Sequence, residues 1–140
     1  MAATKKVLYT AKVHTAGGRA NGLARSDDGH LEVRLSTPGT GSTGTNPEQL
    51  FAAGWSACFE GAMDIVANKM KITLPPDAAI DAEVDLCLTG ADFSIQARLN
   101  VHLPGLSQET ARQLVDLSHH ACPYSKAIKG NVDVTTTITV

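Results

Sequence analysis

Asn46-Pro47-Glu48-Gln49-Leu50-Phe51-Ala52-Ala53-Gly54-Trp55-Ser56-Ala57-Cys58-Phe59-Glu60-Gly61-Ala62 decides the fold, because it opens the one long helix in the chain. Asn46 suits the cap, where its side-chain oxygen accepts a free backbone N–H of the first turn. Pro47 suits the first helical position, where a missing N–H costs nothing. Gln49 stands where a capping box needs it, and Glu48 complements the positive end of the helix dipole. Apolar and small residues then recur at helical spacing: Leu50, Phe51, Gly54, Trp55, Cys58, Ala62, Ile65 and Val66. The spacing predicts a helix to about Lys71, with Gly54 and Gly61 as points where it can kink. Cys58 falls mid-helix on the stripe turned toward the protein. Two readings stay open for it: a small buried hydrophobe, or a reactive thiol.

Outward from this helix, the N-terminal side predicts three strands. Residues 5–14 alternate loosely and are β-branched, and a glycine-rich turn around Gly17-Gly18-Arg19 leads to a short second strand. Asp27-Asp28-Gly29 is a further turn, and residues 31–35 alternate as a third strand. The loop 36–45 is rich in Gly, Ser and Thr and delivers the chain to the Asn46 cap. On the C-terminal side, residues 80–88 and 93–103 alternate and form a hairpin, with Ile80, Ala82, Val84, Leu86 and Leu88 expected on one buried face. Ser107 caps a second helix that stops near His120, with Leu106 as its hydrophobic staple. Cys122-Pro123-Tyr124-Ser125 starts a short third helix ended by Gly130, and residues 132–140 close the chain as a strand. Strands grouped before and after helices, without strict alternation, predict an α+β domain with largely antiparallel sheet and a long central helix, residues 1–140 forming one domain.

The chain has 140 residues and is 43% hydrophobic, enough for a substantial core. Its formal charge of -2 gives no electrostatic case for nucleic acid. No membrane partner is expected, since no apolar run of spanning length stands out, and the N-terminus lacks the apolar centre of a secretory leader. Three cysteines, far apart and without a Cys-x-x-Cys pair, fit neither a secreted disulfide framework nor a structural zinc site. A cytoplasmic location, no bound cofactor and no metal are the expectations.

Cys122 precedes Pro123 and so suits the N-cap of the short helix, where free N–H groups favour a thiolate; it also reads simply as a cysteine in a cap site. Cys-Pro-Tyr-Ser is similar to a monothiol glutaredoxin site, but that site belongs after a first strand, not near a C-terminus. Arg19 reads locally as a surface arginine, and Cys87 as a strand residue on the polar face. His119 and His120 lack a fourth partner at metal-binding spacing.

Together, Gly17-Gly18-Arg19, the block from Asn46 through Cys58-Phe59, and Cys122-Pro123-Tyr124-Ser125 resemble the organic hydroperoxide resistance proteins, within the superfamily of the osmotically inducible protein C. The likeness runs along nearly the whole chain in the same order; the loop 36–45 looks shorter than in many relatives. The resemblance implies an intertwined homodimer of bacterial type with sites at the subunit interface. It implies a thiol-dependent peroxidase for alkyl and fatty-acid hydroperoxides, recycled by an external dithiol such as dihydrolipoamide on a lipoylated protein. It makes Cys58 the peroxidatic cysteine, Cys122 the resolving one, and Arg19 with Glu48 the pair that activates the thiolate. Phe51, Trp55 and Ala62 flank Cys58 on the helix and are expected to offer an apolar substrate site. The sister branch of the superfamily, with another substrate preference, and a non-enzymatic thiol sensor are the competing readings.

The chemistry fits those residue types. An ordinary cysteine is roughly 5–10% ionised near neutral pH, and lowering its pKa by about two units is worth about 2.7 kcal/mol. An apolar helix face works against this, so a cation is needed, and arginine stays charged and forks to two partners. Glu48 and Cys58 stand about 15 Å apart along a straight helix. Either the helix breaks near Gly54 or Glu48 serves the site from a partner subunit.

Overall fold

The computed structural model describes residues 3–140, which divide into two compact units, one ending at residue 47 and the other spanning residues 48–140. The first unit holds an antiparallel sheet of three strands in the order β1 (Val13–Ala16), β2 (Leu23–Ser26), β3 (Glu32–Arg34). The strand expected over residues 5–14 is shorter than its pattern: residues 3–12 make no strand pairing. A β pattern states which residues suit a pleated surface, whereas a ladder also needs a neighbour. Arg25 and Glu32 face each other across β2 and β3 and pair through both carboxylate oxygens at 3.2 Å. Asp28 closes the turn between them, accepting from the Ser26 hydroxyl and the His30 N–H. The turn between β1 and β2 is a single helical turn, α1 (Gly18–Asn21). Gly17 enters it with φ 90°, and a Cβ on Gly22 would lie 2.1 Å from the Gly18 carbonyl, so only glycine closes this turn.

The second unit is built on α2 (Pro47–Met70) and a sheet in the order β4 (Ala79–Thr89), β5 (Asp92–His102), β6 (Asp133–Thr139). The hairpin runs in register over its whole length, from Ala79 opposite His102 to Thr89 opposite Asp92. β6 lies parallel to β5, because the chain between them crosses back through α3 (Gln108–Ala121) and α4 (Pro123–Ile128). Three of the four strand pairings are antiparallel, so the α+β expectation holds. Ser107 caps α3 by accepting the Thr110 N–H at 3.1 Å.

The core gathers Trp55, Phe59, Met63 and Val66 of α2, Ala97, Leu99 and Val101 of β5, and Leu114 and Val115 of α3. The buried stripe of α2 is therefore turned from the predicted one: Phe59 and Met63 lie in it, while Ile65 is 56% exposed. Two bulky side chains one turn apart, Trp55 and Phe59, set the rotation, and the small residues around them carry little weight. Leu86 and Leu88 depart from their expected burial too, because the hairpin tip extends past the core. α2 is long and apolar enough by composition to cross a membrane, contrary to the reading of the sequence, though much of its apolar surface serves this core. Its end is marked by Lys71 at φ 59°, with the Ile72 N–H returning to the Ala67 carbonyl at 3.0 Å. On the outer sheet face Arg98 forks onto Asp85 with both bonds at 2.8 Å and holds that carboxyl well below the usual range.

Candidate active site

α2 is helical without interruption from Pro47 to Met70, which puts Cys58 in its fourth turn, at the border of the buried stripe and half-buried. Cys122 is fully buried and occupies two positions at once, C-cap of α3 and N-cap of α4. Pro123 makes this junction: it cannot continue a helix but fits the first position of a new one. The Ser125 N–H reaches the Cys122 sulfur at 3.5 Å. The two thiols, far apart in sequence, lie close enough to act on each other, and the Tyr124 backbone N–H acts on Cys58 as well. Both are free thiols.

Burial pushes the Cys58 thiol up, the neighbouring Cys122 thiol adds to the rise, and the Tyr124 N–H opposes it. Within residues 48–140 the balance therefore favours the protonated thiol over the nucleophilic thiolate.

An aromatic group covers the turn before Cys58. The Phe51 ring meets Trp55 and Tyr124 edge-on, with centroids 6.0 and 6.3 Å away. Tyr124 lies so close across α2 that a Cβ on Gly54 would stand 2.9 Å from its hydroxyl. Gly54 thus serves as a seat for Tyr124, not as a kink.

The predicted substrate residues separate. Phe51 stays at the half-buried rim, but Trp55 and Ala62 are buried in the core. The indole N–H of Trp55 is taken by Ser125, and the helix residues beside Cys58 that reach the surface are Ala57, Gly61 and Ile65. Arg19 is exposed on α1 in the first unit, and Glu48 is half-buried in the first turn of α2. The unbroken helix removes one of the two routes considered for Glu48.

Sequence reasoning missed Tyr124 and Ser125. Both follow Cys122 at the start of a helix, within one turn of it, which was the available sign. His119 is not poised for a metal: its ring bonds Ser125 and Thr136, and no group of three or more His, Cys, Asp or Glu side chains among the described residues is gathered for one. A cavity of about 550 Å³ opens beside it, lined by Trp55, Ser125, Ile128, Val134 and Thr136 among others.

This architecture and this pair of thiols define a class. The family model described as OsmC-like protein matches residues 39–137, and the chain belongs to that family. Within it the likeness is to the organic hydroperoxide resistance branch. The chain is 47% identical to the organic hydroperoxide resistance protein of Xanthomonas axonopodis pv. citri, over 99% of both sequences. Its fold matches the crystal structure of an organic hydroperoxide resistance protein from Legionella pneumophila with a TM-score of 0.90 at 45% identity, covering 96% of this chain and 100% of that one. The structure of OhrB from Bacillus subtilis matches with a TM-score of 0.88, also at 45% identity, covering 95% of this chain and 100% of that one.

Proposed function

We propose that this protein protects against organic hydroperoxides as a two-cysteine thiol peroxidase. The observation that carries the reading is the contact between Cys58 and Cys122, which brings together two thiols from distant parts of the sequence. The relatives' names, organic hydroperoxide resistance protein, supply the substrate class.

The Cys58 thiolate attacks the terminal oxygen of R–O–OH. The O–O bond breaks, the alkoxide leaves as the alcohol after taking a proton, and sulfur is oxidised to a sulfenic acid. Cys122 attacks that sulfur, water departs, and a Cys58–Cys122 disulfide forms. A dithiol such as dihydrolipoamide, carried on a lipoylated protein, reopens the disulfide by exchange.

Because its own surroundings raise the Cys58 pKa, the cycle needs a cation. Arg19 fills that role, with Glu48 holding its guanidinium by a forked contact. Glu48 stands about 15 Å along an unbroken helix from Cys58 of the same chain, so it serves the Cys58 of a second copy. The working unit is accordingly an intertwined homodimer in the cytoplasm. Exposed Val7, Leu8 and Tyr9 in the unpaired N-terminal segment support this, since apolar side chains of that size gain by being covered. Phe51 and the small residues beside Cys58 give the open side an apolar character suited to an alkyl or acyl chain.

The test is consumption of tert-butyl hydroperoxide with dihydrolipoamide, comparing wild type with Cys58→Ser and Cys122→Ser. The reading expects turnover by wild type, none by Cys58→Ser, and oxidation without recycling by Cys122→Ser. Stoichiometric oxidation of Cys58 without turnover would make the protein a sensor, and an inert Cys58 would end the thiol mechanism. Mixing Cys58→Ser with Glu48→Gln chains tests the shared site: partial recovery of activity is expected, and no recovery returns Glu48 to its own subunit.

A further inference from the structure

Beside the two thiols runs a chain of hydrogen bonds that links α2, α4, α3 and β6. The indole N–H of Trp55 only donates, so at 3.0 Å from Ser125 Oγ it makes that oxygen an acceptor. Ser125 Oγ also meets the ring nitrogen Nδ1 of His119, 3.1 Å away. The other ring nitrogen, Nε2, meets Thr136 Oγ1 at 3.0 Å. Among the described residues, no buried side-chain nitrogen or oxygen lacks a hydrogen-bond partner.

The surroundings of His119 suit the neutral ring. Phe59 of α2 packs against it edge-on at 4.7 Å. Burial lowers its pKa, Asp116 on its own helix opposes this, and His120 reinforces it. Ser125 and Lys126 of α4, Lys129 just past its end, and Thr136 of β6 also line the adjoining cavity.

The placement of the chain matters more than its existence. Trp55 precedes Cys58 by three residues, and Ser125 follows Cys122 by three. The Trp55–Ser125 bond thus ties α2 to α4 one turn away from the point where the sulfurs meet. A single point of contact lets α4 pivot; two fix its angle. To form a disulfide the sulfurs must close to about 2.05 Å. With α4 held, that closure is made by rotating the cysteine side chains, with the backbone staying in place.

Resting on the two-cysteine reading above, we propose that Ser125 and His119 are positioning residues for the resolving step: the chain Trp55–Ser125–His119–Thr136 fixes the Cys122 turn so that its sulfur meets oxidised Cys58. In that step Cys122–SH and Cys58–SOH give the disulfide and water; the Cys122 proton leaves with the hydroxyl group, one sulfur being oxidised as the other is reduced. Peroxide attack at Cys58 comes earlier and does not use the brace.

The test separates those two steps. Reduced wild type, Ser125→Ala and Ser125→Thr are mixed rapidly with one equivalent of tert-butyl hydroperoxide and quenched. Sulfenic acid trapped with dimedone and intact Cys58–Cys122 disulfide are then counted by mass spectrometry. Ser125→Ala should oxidise Cys58 within about twofold of the wild-type rate but form the disulfide roughly tenfold or more slowly, so that sulfenic acid accumulates. Ser125→Thr keeps the hydroxyl and has the neighbouring cavity for its methyl group, so it should recover disulfide formation to within about threefold. Disulfide formation at the wild-type rate in Ser125→Ala would overturn the proposal. So would equal slowing of both steps, or failure of Ser125→Thr to recover. If wild type itself forms no Cys58–Cys122 disulfide, the two-cysteine reading falls and the proposal with it.

Discussion

α2 has two faces, and they do different work. One is lined by Trp55, Phe59, Met63 and Val66 and is the floor of the core. The other carries Gly54, Ala57, Cys58, Gly61 and Ile65, mostly small and at least partly exposed. The bulky face fixes where the helix lies. The small face lets Tyr124 approach the backbone at Gly54 and leaves the Cys58 sulfur within reach of Cys122. One rigid element thereby separates stability from chemistry by about a quarter turn, and substitutions on the two faces should fail in different ways.

The largest effects test that division directly. Cys58→Ser should cut peroxide turnover by roughly a thousandfold or more while moving the unfolding midpoint little, measured by turnover and thermal melts on one sample. Phe59→Ala should do the reverse, costing about 3–5 kcal/mol in urea unfolding, because a fully buried ring leaves a cavity that α2 and β5 cannot close. Substantial loss of fold in Cys58→Ser would break the comparison.

A smaller effect sharpens it. Burial lowers the pKa of His119 from its ordinary 6.5, so the unfolded chain binds this proton more readily than the folded one. Its contribution to stability is therefore full above about pH 6.5 and declines as the pH falls. His119→Asn should flatten that part of a stability-against-pH curve; an unchanged slope would show that other groups dominate it.

Gly54→Ala comes next. Alanine gains about 0.5–1 kcal/mol as a helix former, but the new Cβ meets the Tyr124 ring and must push it aside. Net stability should shift by less than about 1 kcal/mol while the aromatic cover over the site opens, visible as a change in tyrosine and tryptophan fluorescence. Smallest of all, Ile65→Ser should cost no more than about 0.5 kcal/mol in dilute protein, since the side chain is more than half exposed. A larger cost that grows with protein concentration would mean that the open face is covered in a dimer.

Much of this was legible in the sequence. Asn46-Pro47-Glu48 announces the start of α2, Ser107 that of α3, and Cys122-Pro123 the break between α3 and α4. The phase of α2 was harder. Gly54, Ala57, Gly61 and Ala62 give weak hydropathic contrast, so the stripe was drawn around Cys58 when Trp55 and Phe59 determine it. The same error placed Trp55 and Ala62 in the substrate site. Strand β1 fell short of its pattern because pattern cannot supply a neighbour. The meeting of Cys58 with Cys122, and the bonds of Ser125 and His119, depend on the packing of elements distant in sequence, which no local spacing records. The resemblance to a family suggests a pairing of Cys58 with Cys122 but says nothing of the bonds of Ser125 and His119.

Under the proposed two-cysteine cycle, the proximity of Cys58 to Cys122 would also make the chain's tether length depend on oxidation. A disulfide there would close one loop over everything from position 58 to position 122, including the whole β4–β5 hairpin and α3. In the chain-entropy account, a loop of that size removes about 4 kcal/mol worth of freedom from the unfolded state. Each turnover would then raise the resistance to unfolding on oxidation and surrender it on reduction. On the proposed cycle, the reduced form would be the one more exposed to heat and proteases, and a cell short of dithiol would accumulate the sturdier disulfide form.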